Sequence, residues 1–175
     1  MYNRDVRINM RKFESGDFDR LWQMDQECFP PGIAYSRLEL MHYMRRPNAF
    51  TVVAEADGEV AGFVVGECWN SKGHVITLDV AEPFRRQGIG SKLMLECEAR
   101  FAQTGCTASL LETAVNNFPA ITFYKDHGYV VLKTIPRYYE GSLDALLMGK
   151  KLSNTTPPRS TPSAREKRNS RPGSE

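Results

Sequence analysis

The sequence predicts an α/β sandwich built around a mixed sheet. Three observations carry that prediction. Strand-like and helix-like segments alternate along the chain, two apolar runs flank the hairpin signal Asp57-Gly58, and a glycine-containing turn joins a buried strand to an amphipathic helix at Arg85 to Gly90.

Taken in order, Val6, Ile8 and Met10 alternate with polar neighbours as a strand does. After the turn at Ser15-Gly16-Asp17, Leu21, Met24 and Cys28 recur at helical spacing. A second helix is expected over residues 36–46, with Ser36 as N-cap, Glu39 completing a capping box and Pro47 as the stop. Residues 49–56 and 59–68 form the hairpin around Asp57-Gly58, and residues 74–81 a third strand. Ile89, Leu93, Cys97 and Phe101 fall on one face of a helix that begins near Gly88 and ends before Gly105. Residues 107–113 read as a strand, 119–127 as a helix closed by Gly128 at the C′ position, and 129–134 and 145–151 as the last two strands. The predicted order is β-α-α-β-β-β-α-β-α-β-β.

A chain of 175 residues with 41% hydrophobic and 10% aromatic content is enough for one globular core. Residues 153–175 differ. They hold four of the ten prolines, eight Ser or Thr and no aromatic or large aliphatic side chain, so a disordered tail is expected after a domain of residues 1–152. The formal charge of +2 divides at the same point. The tail carries Arg159, Arg165, Lys167, Arg168 and Arg171 against Glu166 and Glu175, a net +3, which leaves 18 basic and 19 acidic residues, or −1, in the domain. A near-neutral domain argues against nucleic acid as a partner. The cysteines Cys28, Cys68, Cys97 and Cys106 form no Cys-x-x-Cys pair and make no close ligand set with His42, His74 or His127, so no metal is expected. His74, His127, Cys97 and Cys106 read as structural. Neither a signal peptide nor a membrane span is expected, and the cysteine usage fits a reduced cytoplasmic protein.

The chemistry concentrates in Val80-Ala81-Glu82-Pro83-Phe84-Arg85-Arg86-Gln87-Gly88-Ile89-Gly90. The first amides of a helix have no backbone partners, and the macrodipole places partial positive charge beside them. Gly88 and Gly90 remove the β-carbons that would hold an anion off, so a pyrophosphate can rest on the amides, with Arg85 and Arg86 at the rim. A Walker loop is excluded because Lys92 lacks a glycine at the required distance before it, and a dinucleotide fingerprint is excluded because its third glycine position holds Leu93.

Arg85-x-x-Gly88-x-Gly90 at such a turn resembles the coenzyme A pyrophosphate loop of the GCN5-related N-acetyltransferase (GNAT) family. Leu110-Leu111-Glu112-Thr113, followed by Asn117, Ala120, Tyr124 and Gly128-Tyr129, resembles the family's strand 5, helix 4 and next strand. Arg137-Tyr138-Tyr139 and Asp144-Ala145-Leu146-Leu147-Met148 resemble the subgroup that acetylates protein N-termini, including the ribosomal-protein alanine acetyltransferases. The resemblance spans roughly residues 6–152 and implies a mostly antiparallel sheet, splayed between strands 4 and 5 and flanked by helices on both faces. It also implies an acetyl-CoA-dependent acyltransferase in which an amine attacks the thioester directly. Glu112 is then the general base, alone or through water, and Tyr124 the general acid that protonates the departing thiolate. The donor would be held by Leu78, Asp79, Val80, Arg85, Arg86, Gln87, Gly88, Ile89, Gly90, Ser91, Asn117 and Tyr124. Phe29, Pro30, Tyr35, Tyr138 and Tyr139 would meet the acceptor, a protein or peptide N-terminal α-amine.

Rival readings remain at this stage. The acceptor can instead be a small amine such as a polyamine, an aminoglycoside or an amino acid, with Glu27, Glu39 and Glu140 lining an acidic cleft; or the chain can be a non-catalytic acyl-CoA-binding module. Glu112 can be a solvated strand-end charge, Tyr124 a core aromatic, and Asn117 only a helix cap. A monomer and a dimer are both compatible with the sequence.

Overall fold

A computed structural model describes residues 7–153. Val6 and the expected tail, apart from Ser153, lie outside the described residues. The elements are β1 (Ile8–Lys12), α1 (Phe18–Cys28), α2 (Arg37–Met44), β2 (Ala49–Ala56), β3 (Glu59–Trp69), β4 (Lys72–Val80), α3 (Ile89–Gln103), β5 (Ala108–Ala114), α4 (Phe118–Asp126), β6 (Val130–Tyr139) and β7 (Leu143–Lys151). One seven-stranded sheet runs in the order β1-β2-β3-β4-β5-β7-β6, antiparallel except for the β4–β5 pair.

Helices cover both faces, which explains why the central strands are apolar on consecutive residues. Val52 and Ala54 of β2 and Val64 of β3 pack with Ile89, Leu93, Cys97 and Phe101 of α3. The intervening Val53, Phe63 and Val65 pack on the opposite face with Phe18, Leu21 and Met24 of α1 and Leu40 of α2. Helix α3 seats very close to the sheet at Gly73, where a β-carbon would stand 2.3 Å from the Phe101 ring. At α2, Ser36 accepts from the Glu39 amide while the Glu39 carboxylate accepts from the Ser36 amide, the expected capping box.

Strands β4 and β5 pair over only four positions, Lys72↔Ala108 to Val75↔Leu111. Beyond Val75, β4 stays with β3 as far as Gly62↔Val80, whereas β5 stays with β7 as far as Ala114↔Ala145. The two half-sheets therefore diverge, and one edge of β4 opens toward the gap. A bulge sits at the same place, since Val65 pairs with Thr77 and Gly66 with Val75, which leaves Ile76 as an extra residue.

Strand β6 is longer than the expected residues 129–134. Its ladder with β7 breaks after Ile135↔Ala145 and resumes at Tyr139↔Leu143. Pro136 has no N–H to donate, and Arg137 has φ +51° and gives its amide to Asp144 Oδ1 at 2.8 Å. That bulge carries Tyr138 and Tyr139 past the end predicted for the strand.

Candidate active site

The gap between the half-sheets is a cavity of about 690 Å³, within the range of small-molecule sites. Its wall at one end is the start of α3. Gly88 is the N-cap with φ +78°, and a β-carbon there would meet nothing within 4 Å. The first bond of the helix runs from the Lys92 amide to the Gly88 carbonyl, 3.0 Å, so the amides of Ile89, Gly90 and Ser91 have no partner within the helix. Arg86 also has positive φ, +60°, and the chain at Arg86 and Gly88 curls into a concave turn of the kind that binds anions. Arg85 folds back: its Nε donates to the Val80 carbonyl at 2.9 Å and its guanidinium reaches Cys28 Sγ at 3.5 Å. The Cys28 thiol donates to the same carbonyl at 3.6 Å, and Val80 lines the cavity.

In the middle of the cavity Glu112 of β5 lines the wall, and its Oε2 lies 2.5 Å from His74 Nε2 on β4. The parallel register sets His74 opposite Leu110, two residues before Glu112, on the same face. Both side chains are half-buried, at 36% and 18% exposure; Glu112 lines the cavity and His74 stands outside the lining. The reading of His74 as structural carries no hint of this partner, because 38 residues separate the two and only the β4–β5 register joins them.

Tyr124 of α4 lines the same cavity. Burial, with a smaller push from the Asp79 charge, holds its phenol well above the usual range, so it keeps its proton at physiological pH. Asp79 is buried and its carboxyl is itself pushed far up by burial; Thr77 Oγ1 donates to its Oδ1 at 2.7 Å. Asn117 both lines the cavity and caps α4, its Oδ1 accepting from the Ala120 amide at 3.3 Å.

The far end is closed by the loop between α1 and α2 and by the end of β6. Phe29, Ile33, Tyr35 and Tyr139 line it. The Tyr35 hydroxyl donates to the Ile76 carbonyl at 3.3 Å. Three expected site residues stand outside the lining. Gln87 turns its amide back to the Pro83 carbonyl at 3.0 Å. Pro30 uses its carbonyl to close a turn with the Ile33 and Ala34 amides. Tyr138 is 47% exposed and packs edge-on against Tyr139 with 4.9 Å between centroids. Burial still raises its phenol to about 12. The three carboxylates offered for an acidic cleft do not line the cavity either. Glu27 pairs with Arg20 at 3.3 Å, Glu39 serves the α2 cap, and Glu140 packs beside Gly32. Among the described residues there is no group of three side chains that could hold a metal ion, and no helix is long and apolar enough to cross a membrane.

The sequence profile of the acetyltransferase (GNAT) family matches residues 18–129. An uncharacterised N-acetyltransferase of Methanocaldococcus jannaschii is 37% identical over 150 residues, covering 85% of this chain and 95% of its own. An N-alpha-acetyltransferase of Sulfolobus acidocaldarius is 28% identical over 158 residues, 83% of this chain and 93% of the relative. Among solved structures, the Ard1 protein of Thermoplasma volcanium superposes with a TM-score of 0.77 at 26% identity, over 83% of this chain and 98% of that one. The amide-lined turn at α3, the splayed sheet and these likenesses agree: the chain belongs to the GNAT family of acetyltransferases and is an N-acetyltransferase.

Proposed function

We propose that this enzyme moves an acetyl group from acetyl-CoA to the N-terminal α-amine of a protein or peptide. The observation that carries this reading is the single cavity that runs along the open edge of β4, from the free amides of α3 to the His74–Glu112 pair.

The residues at the α3 end fit coenzyme A: three free amides, the clear space over Gly88 and the cations Arg85 and Arg86 suit a pyrophosphate. Acetyl-CoA, when bound, supplies a thioester carbonyl open to attack by an amine. The chain's own part is proton handling and alignment. Glu112, held by His74, accepts the proton that the acceptor ammonium must lose, directly or through water. This is a modest demand for an α-amine, whose reference pKa is about 7.7 to 8.0, and a larger one for a lysine at about 10.4. Tyr124 holds a proton for the departing sulfur. The β4 edge beyond Val75, at Leu78 and Asp79, offers backbone groups to align the donor and polarise its carbonyl, and Asn117 supports the same end.

Two observations weigh against the rivals. No carboxylate other than Glu112 and the buried Asp79 lines the cavity, which removes the acidic wall a polyamine would need. Glu112 and Tyr124 both line the cavity, which counts against a module that has lost turnover. The similarity to an N-alpha-acetyltransferase of Sulfolobus acidocaldarius supports the α-amine as acceptor. The described cysteines are all free, in keeping with a proposed cytoplasmic site of action. The test is transfer from labelled acetyl-CoA to a library of peptides with varied first residues, run beside spermidine, an aminoglycoside and free amino acids. Label on peptide α-amines is expected; label confined to the free small amines would overturn the reading.

A further inference from the structure

A pair of cysteines lies at the end of the sheet where β4 and β5 are still joined, away from the cavity. Cys68 is near the end of β3, and Cys106 is in the turn from α3 to β5. The Thr107 amide ties that turn to the β3–β4 hairpin, donating to the Ser71 carbonyl at 2.8 Å. Thr104 stands between the two sulfurs. Its hydroxyl donates to the Phe101 carbonyl at 2.9 Å, so Oγ1 is left as the acceptor for both thiols, Cys68 at 2.9 Å and Cys106 at 3.7 Å. The two thiols differ in access. Cys68 is half-buried beside the exposed Thr104, while Cys106 is 1% exposed behind it. Burial and the adjacent Cys68 push the Cys106 thiol up to about 11, so it keeps its proton at neutral pH. Gly105, next to Cys106, has open space around it, which gives the turn room to swing Cys106 toward Cys68. The other two cysteines stand apart from this hydroxyl: Cys97 is fully buried beside Gly66, and Cys28 lines the cavity.

We propose that Cys68 and Cys106 are a redox modification site, and that a hydroperoxide converts them to a reversible disulfide. Cys68, the accessible thiol, attacks one peroxide oxygen. Its S–O bond forms as the O–O bond breaks, and water leaves, so Cys68 becomes a sulfenic acid. The Cys106 sulfur then attacks the Cys68 sulfur; the S–O bond breaks, and the hydroxide departs with the Cys106 proton as a second water. Two thiols lose two electrons, and one peroxide is reduced to two waters. The bond staples β3 to the start of β5 across β4, at the joined end of the two half-sheets. Closing that loop of chain restricts the unfolded state and so stabilises the fold.

The experiment treats the full-length protein with hydrogen peroxide, titrates thiols in denaturant and maps unreduced tryptic peptides by mass spectrometry. Titratable thiols are expected to fall from four to two per chain. A linked peptide holding Cys68 and Cys106 should appear and be released by dithiothreitol, with Tm raised by about 5 °C in the oxidised protein. In Cys106→Ser the link cannot close, so dimedone should trap Cys68 as the sulfenic acid, and longer exposure should carry it to the sulfinic acid. If Cys106→Ser fails to fold, Cys106→Ala gives the same readout. Cys68→Ser should keep its remaining thiols reduced. A link from either cysteine to Cys97 or Cys28, a disulfide between two chains, or Cys68 driven to sulfinic acid in the parent without a link would each overturn the proposal. So would survival of all four thiols.

Discussion

At the α3 end of the cavity, the groups offered to a ligand belong to the backbone: the amides after Gly88 and the free edge of β4. At the other end they belong to side chains, the aromatic walls and the His74–Glu112 pair. The contrast has a physical root. A backbone surface is set by local chain geometry and needs only that side chains stay out of the way, so the proposed donor end should tolerate change except at its glycines. A side-chain surface is set by which residues the fold brings together, so changes at the proposed acceptor end should leave donor binding undisturbed.

The sharpest way to break that contrast is Gly88→Glu, which places a carboxylate where the free amides point. Binding of acetyl-CoA is expected to be lost, and calorimetry showing retained binding would mean the cradle lies elsewhere. Gly88→Ala separates charge from geometry: there is room for the methyl, and only the left-handed backbone is strained, by about 1 kcal/mol. That variant should weaken binding less than about tenfold.

At the side-chain end the losses should fall on turnover. Tyr124→Phe and Glu112→Gln are each expected to lower kcat by about 10² to 10⁴ while leaving acetyl-CoA affinity within a few-fold. If His74 and Glu112 act as a unit, the double variant His74→Gln with Glu112→Gln should cost about as much as the worse single change. Additive losses in steady-state kinetics would show that the two act separately.

Two smaller effects lie away from the chemistry. Gly73→Ala drives a methyl into the Phe101 ring and should destabilise the fold by about 1 to 3 kcal/mol, read as a lower Tm, with kcat of the folded fraction unchanged. Asp25 shows the opposite sign at high pH. Burial raises its carboxyl to about 6, above its unfolded value. Its contribution is therefore most favourable below about pH 4 and is lost as pH rises through about 6. Asp25→Asn should be more stable than the parent by about 1 to 2 kcal/mol at pH 8 and should show no such gain at pH 4; equal melting differences at both would mean that Asp25 does not titrate in the core.

Much of the donor end was legible along the chain. The Arg85 to Gly90 turn, the face of Ile89, Leu93, Cys97 and Phe101, the Ser36 and Glu39 cap, and the Gly128 stop are all where spacing put them. These features depend on residues within a few positions of one another. Gln87, Pro30 and Tyr138 were neighbours of cavity residues in sequence and turned away in space, because a loop or bulge decides direction one residue at a time. Glu27, Glu39 and Glu140 likewise found other duties, one in an ion pair, one in a cap and one against a glycine.

By itself, then, the sequence determined the order of the elements, the glycine-bearing start of α3 and the titratable residue types offered along the chain, since each follows from local periodicity or short spacing. Only the tertiary structure decided that His74 stands against Glu112, that β4 and β5 part after Val75, and that Asp25 holds Tyr35. Each of these depends on the register between strands or on the seating of a helix against a distant loop. Many weak contacts across the whole core select that arrangement, and no short stretch of chain records it.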